Sequence, residues 1–385
     1  MQILNMGQVG GGIGAFIGEV HRKAASMDGG IQLKAGAFDV NPKNSIKQGK
    51  ILGLCKSRIY KTYPEMIEKE LQLPVGERID FVSICTPNHT HFPIAKAFLE
   101  AGFNVMCEKP MTLTVEEADE LKIIAKASRK VFGLMHNYTA YPMVKLAKDM
   151  IKQGDLGNIR KIVVQYPQGW LSELLEKTGQ MQASWRTDPK TSGAAGCIGD
   201  IGTHAANLAE YITGLKITQV LSDLTTFVKG RKLDDDGNVL LRFSKGAKGV
   251  LHASQISVGE ENNLAIWIYG EQKGLHWRQE QPNYLHVLSQ TGPEEIWKRG
   301  NPYVAEKSEA AGRCSRIPGG HPEAFLEAFA NNYCNFADTI RAKNERRKAT
   351  DLEKDFPGIE AGVRGMKFIQ AVVDSSKNGN VWTKI

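Results

Sequence analysis

The chain has 385 residues, 42% of them hydrophobic and 24% charged, with a formal net charge of +7. That length exceeds one ordinary core, so two domains are expected, and the composition is that of a folded protein without disordered or low-complexity tracts. The bases are scattered apart from Arg341, Lys343, Arg346, Arg347 and Lys348, which read as a solvated helix end rather than a nucleic-acid surface, and no apolar run is long enough to span a membrane.

In chain order, residues 3–6 form a short apolar strand running into glycines, and 15–25 have helical spacing. A second strand, 33–38, ends at Asp39. Residues 63–71 read as a helix with Pro64 in its first turn, and 81–85 as a continuous apolar strand that stops at Thr86-Pro87. A helix over 93–101 closes at Gly102, and 104–107 is again a strand. Thr114 and Glu117 form a capping box before a helix over 118–127, and 131–135 is the last strand of this series. Repeated strand–helix units predict a doubly wound parallel sheet, an α/β architecture.

From about residue 137 the pattern changes. A helix over 141–153 precedes a strand over 159–166, and a long polar loop runs to about 190. A helix over 199–213 is followed by strands at 219–228, 239–243, 249–257, 264–269 and 275–278, with closing helices at 323–340 and 358–374. Successive strands with few helices between them predict an α+β domain whose antiparallel or mixed sheet carries helices on one face. The expected division is 1–136 and 137–385. Residues 281–320 are rich in loop signals and yield no assignment.

Cys55, Cys85, Cys107, Cys197, Cys314 and Cys334 include no CxxC pair. Reduced core thiols in a reducing compartment are expected, with no metal site. The first residues read directly as a strand, without a charged and then apolar leader, so a cytoplasmic location is expected.

The opening glycines are Gly7, Gly10, Gly11, Gly12, Gly14 and Gly18. Bare backbone lets amides approach a pyrophosphate, and the helix that follows favours its charge. The cofactor contacts expected here are Gly12, Ile13, Gly14, Phe16 and Ile17. An acid about twenty residues beyond the loop, at the end of the second strand, binds adenosine ribose hydroxyls in such folds; Asp39 stands there. It would repel a 2′-phosphate, and Val40, not an arginine, follows it, so NAD is expected over NADP. The alternative for Asp39 is a turn residue before Asn41-Pro42. Thr86, Pro87 and Asn88 form the loop after the third strand, where ligands of open sheets bind. His89 and His91 make an H-x-H pair without an obvious third ligand, so His91 is expected to bond the cofactor or backbone rather than a metal.

Further along stand Glu108-Lys109-Pro110 and the run Gly199-Asp200-Ile201-Gly202-Thr203-His204. In a helix over 199–213, Asp200 and His204 at i and i+4 share a face. Taken in order with the glycine loop, Asp39 and the Thr86-Pro87-Asn88 segment, these residues resemble the Gfo/Idh/MocA oxidoreductase family, which acts on sugars, inositols and related polyols. The resemblance covers nearly the whole chain. It implies a Rossmann domain and a C-terminal domain whose open, mostly antiparallel sheet serves substrate binding and oligomerisation, giving a dimer or tetramer. It also implies that Lys109, Asp200 and His204 are the catalytic trio and that the Lys109-Pro110 bond is cis. Two features, the long glycine loop and Gly319-Gly320-His321-Pro322-Glu323, resemble the branch of levoglucosan and glucoside 3-dehydrogenase-like enzymes.

Oxidation of a secondary alcohol removes a hydride and a proton. His204 suits the base, Lys109 can stabilise the developing alkoxide, and Asp200 can orient the base or hold a neighbouring hydroxyl. Glu108, Lys109 and Asn137, the last at the expected domain junction, are placed for the nicotinamide end of the cofactor, and Lys109 and Asn137 also for substrate. Trp185 and Arg186 offer an aromatic face and a guanidinium to a sugar, or else anchor their loop. His321 either caps the pocket or simply begins a helix. The other readings of the same residues are a glycosidase that uses NAD transiently and a non-catalytic dinucleotide sensor.

Overall fold

The fold is that of a computed structural model describing residues 2–385. It divides into two compact units. The first comprises residues 1–112, 116–137 and 325–363; the second comprises 113–115, 138–324 and 364–385.

The first unit is built on five parallel strands: β1 (Leu4–Gly10), β2 (Ile31–Ala37), β3 (Phe81–Cys85), β4 (Asn104–Cys107) and β5 (Phe132–Leu134), in spatial order β2-β1-β3-β4-β5. The chain order reverses between β1 and β3, which opens a crevice at their carboxyl ends. β3 and β4 are buried along their whole length, polar Ser83 and Asn104 included, as strands covered on both faces are. Helices Phe16–Ser26, Tyr63–Leu71, His91–Glu100 and Val115–Ser128 fall within a few residues of expectation. Helix Pro42–Ile51 was not foreseen: its buried side is made of Ser45, Gln48 and Gly49, so no apolar stripe announces it.

The division also differs from a single cut at residue 136, because residues 325–363 return to the first unit. Helix Phe325–Asn344 lays Phe329, Tyr333, Phe336 and Ile340 on Leu4, Met6, Phe81 and Met106. Beyond it, the Leu134 N–H donates to Pro357 O at 2.7 Å, and Gly133 pairs with Gly358.

The second unit has nine strands: β6 (Ile159–Pro167), β7 (Ile217–Thr225), β8 (Asp236–Phe243), β9 (Lys248–Ser254), β10 (Ala265–Gly270), β11 (Lys273–Arg278), β12 (Tyr284–Ser289), β13 (Glu295–Lys298) and β14 (Thr383–Lys384). Their order is β13-β12-β11-β10-β6-β9-β8-β7-β14. Among the described residues every pairing in this sheet is antiparallel except β6 with β9. Burial alternates along β8, the mark of a sheet covered on one face only. The helices of this unit include Pro142–Lys152 and Thr203–Thr213. The cross-strand row Leu240, Val250, Val163, Trp267, His276 and His286 lies on the other face. There Trp267 stacks on His276 at 4.5 Å, and Leu240 is 45% exposed. Residues 281–320, unassigned from sequence, contain β12, β13 and the short helices Pro302–Lys307 and Glu309–Arg313.

None of the six cysteines is in a disulfide. Cys85, Cys107, Cys197 and Cys314 are buried, whereas Cys55 is exposed and Cys334 half-buried, so two of the six depart from the expected core placement. No described helix is long and apolar enough to cross a membrane.

Candidate functional site

In the first unit the glycine loop bends tightly over the ends of β1 and β3. Gly11 has φ +70°, and a Cβ on Gly18 would lie 2.3 Å from the Gly11 Cα, so the loop and the helix after it touch backbone to backbone. This explains why the third glycine stands at 18. Ile13 and Phe16 project outward, 47% and 66% exposed. Helix Phe16–Ser26 has no side-chain cap at Ala15, which leaves its first amides available to an anion. Asp39 is fixed by the Asn41 N–H, which donates to Oδ1 at 2.8 Å.

The Lys109-Pro110 bond is cis. The residues around it are clamped from both sides. His91 is buried, with Nδ1 2.7 Å from Pro110 O and Nε2 2.8 Å from Thr86 O, so its ring ties two loops together through their backbone, the second of the two roles expected for it. Glu108 is turned inward: Oε1 lies 2.7 Å from His21 Nε2, and Oε2 accepts the Lys109 N–H at 3.1 Å. His136, buried nearby, is depressed to about 3 by burial and by the charge of Lys109, and so stays neutral. Asn137 Nδ2 is buried without a hydrogen-bond partner.

In the second unit the expected helix over 199–213 is regular only from Thr203. Ile198–Gly202 is a π-helical turn, with the Thr203 N–H donating to Ile198 O. The wider turn removes the strict i, i+4 alignment assumed for Asp200 and His204. Asp200 Oδ2 accepts from Gln255 Nε2 at 2.9 Å and lies 3.4 Å from Arg186 Nε. The Arg186 guanidinium sits over Trp185 at 4.2 Å and faces Trp170 at 6.0 Å. Trp185 and Arg186 therefore do group with Asp200. The buried His204 ring meets Tyr138 edge-on at 4.8 Å and Tyr166 at 6.4 Å.

A polar ladder continues from these rings. Tyr138 Oη bonds Tyr166 Oη, the Tyr166 hydroxyl donates to Asn262 Oδ1 at 2.6 Å, and Gln168 Nε2 donates to the same oxygen at 2.9 Å. Trp170 Nε1 donates to Gln168 Oε1 at 3.1 Å. Burial pushes the Tyr166 phenol up, and Tyr138 adds to this, so Tyr166 stays neutral. Asp234 fixes the start of the π turn by accepting from Gly196 N at 2.6 Å and Ile198 N at 2.9 Å. His321 is exposed on a loop whose backbone is held by Arg299.

Residues 6–136 match the oxidoreductase family with an NAD-binding Rossmann fold, and 144–276 match the GFO/IDH/MocA C-terminal domain. The chain belongs to the Gfo/Idh/MocA oxidoreductase family. It is 35% identical to an uncharacterized oxidoreductase of Bacillus subtilis, over 99% of this chain and 96% of that protein. Levoglucosan dehydrogenase of Pseudarthrobacter phenanthrenivorans is 28% identical over 74% of this chain and 76% of its own length. The crystal structure of an inositol dehydrogenase homolog from Azotobacter vinelandii, complexed with NADH and myo-inositol, superposes with a TM-score of 0.92 at 35% identity, covering 100% of this chain and 98% of that one.

The first unit of this Gfo/Idh/MocA oxidoreductase fits the NAD its family binds. A Cβ on Gly12 would lie 2.8 Å from Phe38 O and 3.4 Å from Asp39 Oδ2, so only bare backbone passes beside the acid. The uncapped amides suit the pyrophosphate, and Asp39 suits the adenosine ribose. The unpartnered Asn137 Nδ2 is a donor that a ligand acceptor would satisfy. Sequence reasoning missed Tyr138, Tyr166, Gln168, Trp170, Gln255 and Asn262. One signal was available: Tyr166, Gln168 and Trp170 alternate at the end of a strand and so share a face.

It also missed His21, which is fully buried. Burial alone depresses this imidazole, but Cys85, Tyr333 and Glu108 around it more than reverse that and hold it well above its usual value. Glu108 is raised by burial and lowered further by the His21 bond and charge, with Lys109 and His91 acting in addition. The pair therefore contributes fully between the ordinary values of 4.5 and 6.5. It fades as pH rises toward the raised His21 value, and also as pH falls toward the lowered Glu108 value. The stability gap between wild type and His21→Gln, followed by urea denaturation across pH, is expected to be widest near pH 5–6. A gap that grows steadily into the alkaline range would show His21 to be neutral.

Proposed function

We propose that the protein transfers a hydride between NAD and a secondary hydroxyl of a sugar, glycoside, anhydrosugar or inositol. The observation that carries this reading is the second unit's cluster: His204 against two tyrosine edges, and Asp200 held by Gln255 and Arg186 beside Trp170 and Trp185. Aromatic faces suit the C–H surface of a ring, and the Asn and Gln amides suit its hydroxyls. Bound NAD supplies the hydride acceptor. His204 takes the hydroxyl proton, Lys109 stabilises the alkoxide, and Asp200 fixes a neighbouring hydroxyl. Trp185, Arg186 and His321 are substrate contacts in this reading. The relative named for levoglucosan, and the structure holding myo-inositol, support the substrate class. A panel of inositols, glucosides and anhydrosugars followed by NADH absorbance tests it; net NADH formation separates a dehydrogenase from a glycosidase that returns its cofactor.

Cofactor choice follows from Asp39. Wild type is expected to bind NAD in preference to NADP, and Asp39→Ala to lose about 1.5–3 kcal/mol of NAD affinity, the value of hydrogen bonds to a charged group. Fluorescence titrations in which wild type favours NADP would rule the assignment out. We also assign to the exposed row on the nine-stranded sheet a contact with a second copy of the chain, giving a dimer or tetramer. A cytoplasmic location accompanies this reading, supported by six cysteines that form no disulfide.

A further inference from the structure

Behind Lys109 lies a buried chain of polar groups that the reaction itself does not touch. His21 comes from the helix after the glycine loop, Ser83 from β3, Glu108 from the end of β4, and Tyr333 from the returning helix Phe325–Asn344. His21 Nε2 meets Glu108 Oε1 at 2.7 Å, and His21 Nδ1 meets Tyr333 Oη at 2.6 Å. Tyr333 Oη lies 2.9 Å from Ser83 Oγ. Phe329 closes the remaining side, edge-on to the imidazole at 5.2 Å.

The order of the contacts is directional. Tyr333 fixes the imidazole, the imidazole fixes one carboxylate oxygen, and the other carboxylate oxygen accepts the Lys109 N–H at 3.1 Å. On the far side His91 holds the next carbonyl, Pro110 O. Lys109 is thus anchored at its own amide by one buried histidine through Glu108, and at the following residue by another. Each half of this arrangement is costly to bury unless paired, so the pairing sets one position for the backbone that carries the lysine.

We propose that His21, acting through Glu108 and backed by Tyr333, is a positioning residue for Lys109. The proposal rests on the reading of Lys109 as the group that stabilises the substrate oxyanion. A catalytic group displaced by about 1 Å can lose about 10²-fold in rate without contributing to binding. His21 lies outside the substrate and cofactor contacts assigned above, so its loss should appear in turnover and not in affinity.

The test uses His21→Ala, His21→Gln and Tyr333→Phe in the full chain, with two readouts. The first is kcat and KM on a polyol that the wild type oxidises with NAD. The second is hydrogen–deuterium exchange of the peptide containing Lys109, measured without substrate. His21→Ala is expected to lower kcat about 10²-fold with KM for NAD near wild type, and to speed exchange at the Lys109 amide. His21→Gln, whose amide can still donate to Glu108, should restore most of both. Tyr333→Phe should shift both in the same direction by less, and supplies the answer if His21→Ala does not fold. Unchanged kcat and exchange in folded variants would overturn the proposal. So would a kcat loss that tracks only the unfolded fraction, or one that glutamine fails to restore. If wild type oxidises none of the polyols, the functional reading fails, and the exchange measurement still decides whether His21 holds the Lys109 loop.

Discussion

Lys109→Ala and His204→Ala are each expected to lower turnover by about 10²–10⁴-fold, the usual cost of losing one acid–base group. NAD affinity should survive in both, because the glycine loop and Asp39 are assigned to the other end of the cofactor. The proton-accepting limb of the wild-type pH–rate profile should change in His204→Ala. The His204 ring is fixed between the edges of Tyr138 and Tyr166, so a smaller side chain leaves the second unit's polar ladder in place. Steady-state kinetics with the fold checked by circular dichroism decide the matter: near-normal turnover in both variants would favour a non-catalytic dinucleotide sensor.

The second large effect is expected on stability. Arg299 and Glu323 are each 2% exposed, and Arg299 Nη1 meets Glu323 Oε1 at 2.7 Å. Arg299 also donates to Asn283 Oδ1 and to the carbonyls of Ile317 and His321. The Arg316 and Ile317 amides donate to the same Glu323 oxygen. Arg299→Met removes the nearer cation and leaves the buried carboxylate to those two amides and to Arg316 Nη1 at 3.8 Å, and removing one partner of a buried pair typically costs about 3–5 kcal/mol. Urea denaturation should show a loss of this size, with a raised KM for the sugar because the His321 loop is released. A change under about 1 kcal/mol would mean that the pair behaves as an exposed one.

What could be read from the sequence was what lies close together in it or recurs at a fixed spacing. The strand at 81–85 is legible because a strand covered on both faces is mostly apolar, Ser83 being its one polar residue, and the glycines, Asp39 and Lys109-Pro110 because they follow one another in the order that the family resemblance expects. Helix Pro42–Ile51 was hidden because its inward face is polar: Ser45 Oγ donates to Tyr60 O at 2.7 Å. The π turn at Ile198–Gly202 was hidden because apolar periodicity does not separate one extra residue per turn from a regular helix. Asp200 and His204 stand out in the sequence, but the side chains around them do not. Gln255 reaches Asp200, and Tyr166 reaches Asn262, from the ends of β9, β6 and β10, whose register no local pattern states. His21 looked like any polar residue in a helix, and its partner Tyr333 stands 312 positions away.

The return of Phe325–Asn344 to the five-stranded sheet has a consequence for how the polypeptide matures. During synthesis, residues 1–137 emerge from the ribosome long before Phe329, Tyr333 and Phe336 exist. Until then Phe81 and Met106 lack their aromatic cover, and His21 lacks the hydroxyl of Tyr333. The nucleotide-binding half therefore cannot complete its interior as an early, independent product, although domains generally fold in the order they are made. It waits until residues 325–363 have been translated, and a chain that stops short of the return carries an unfinished first unit.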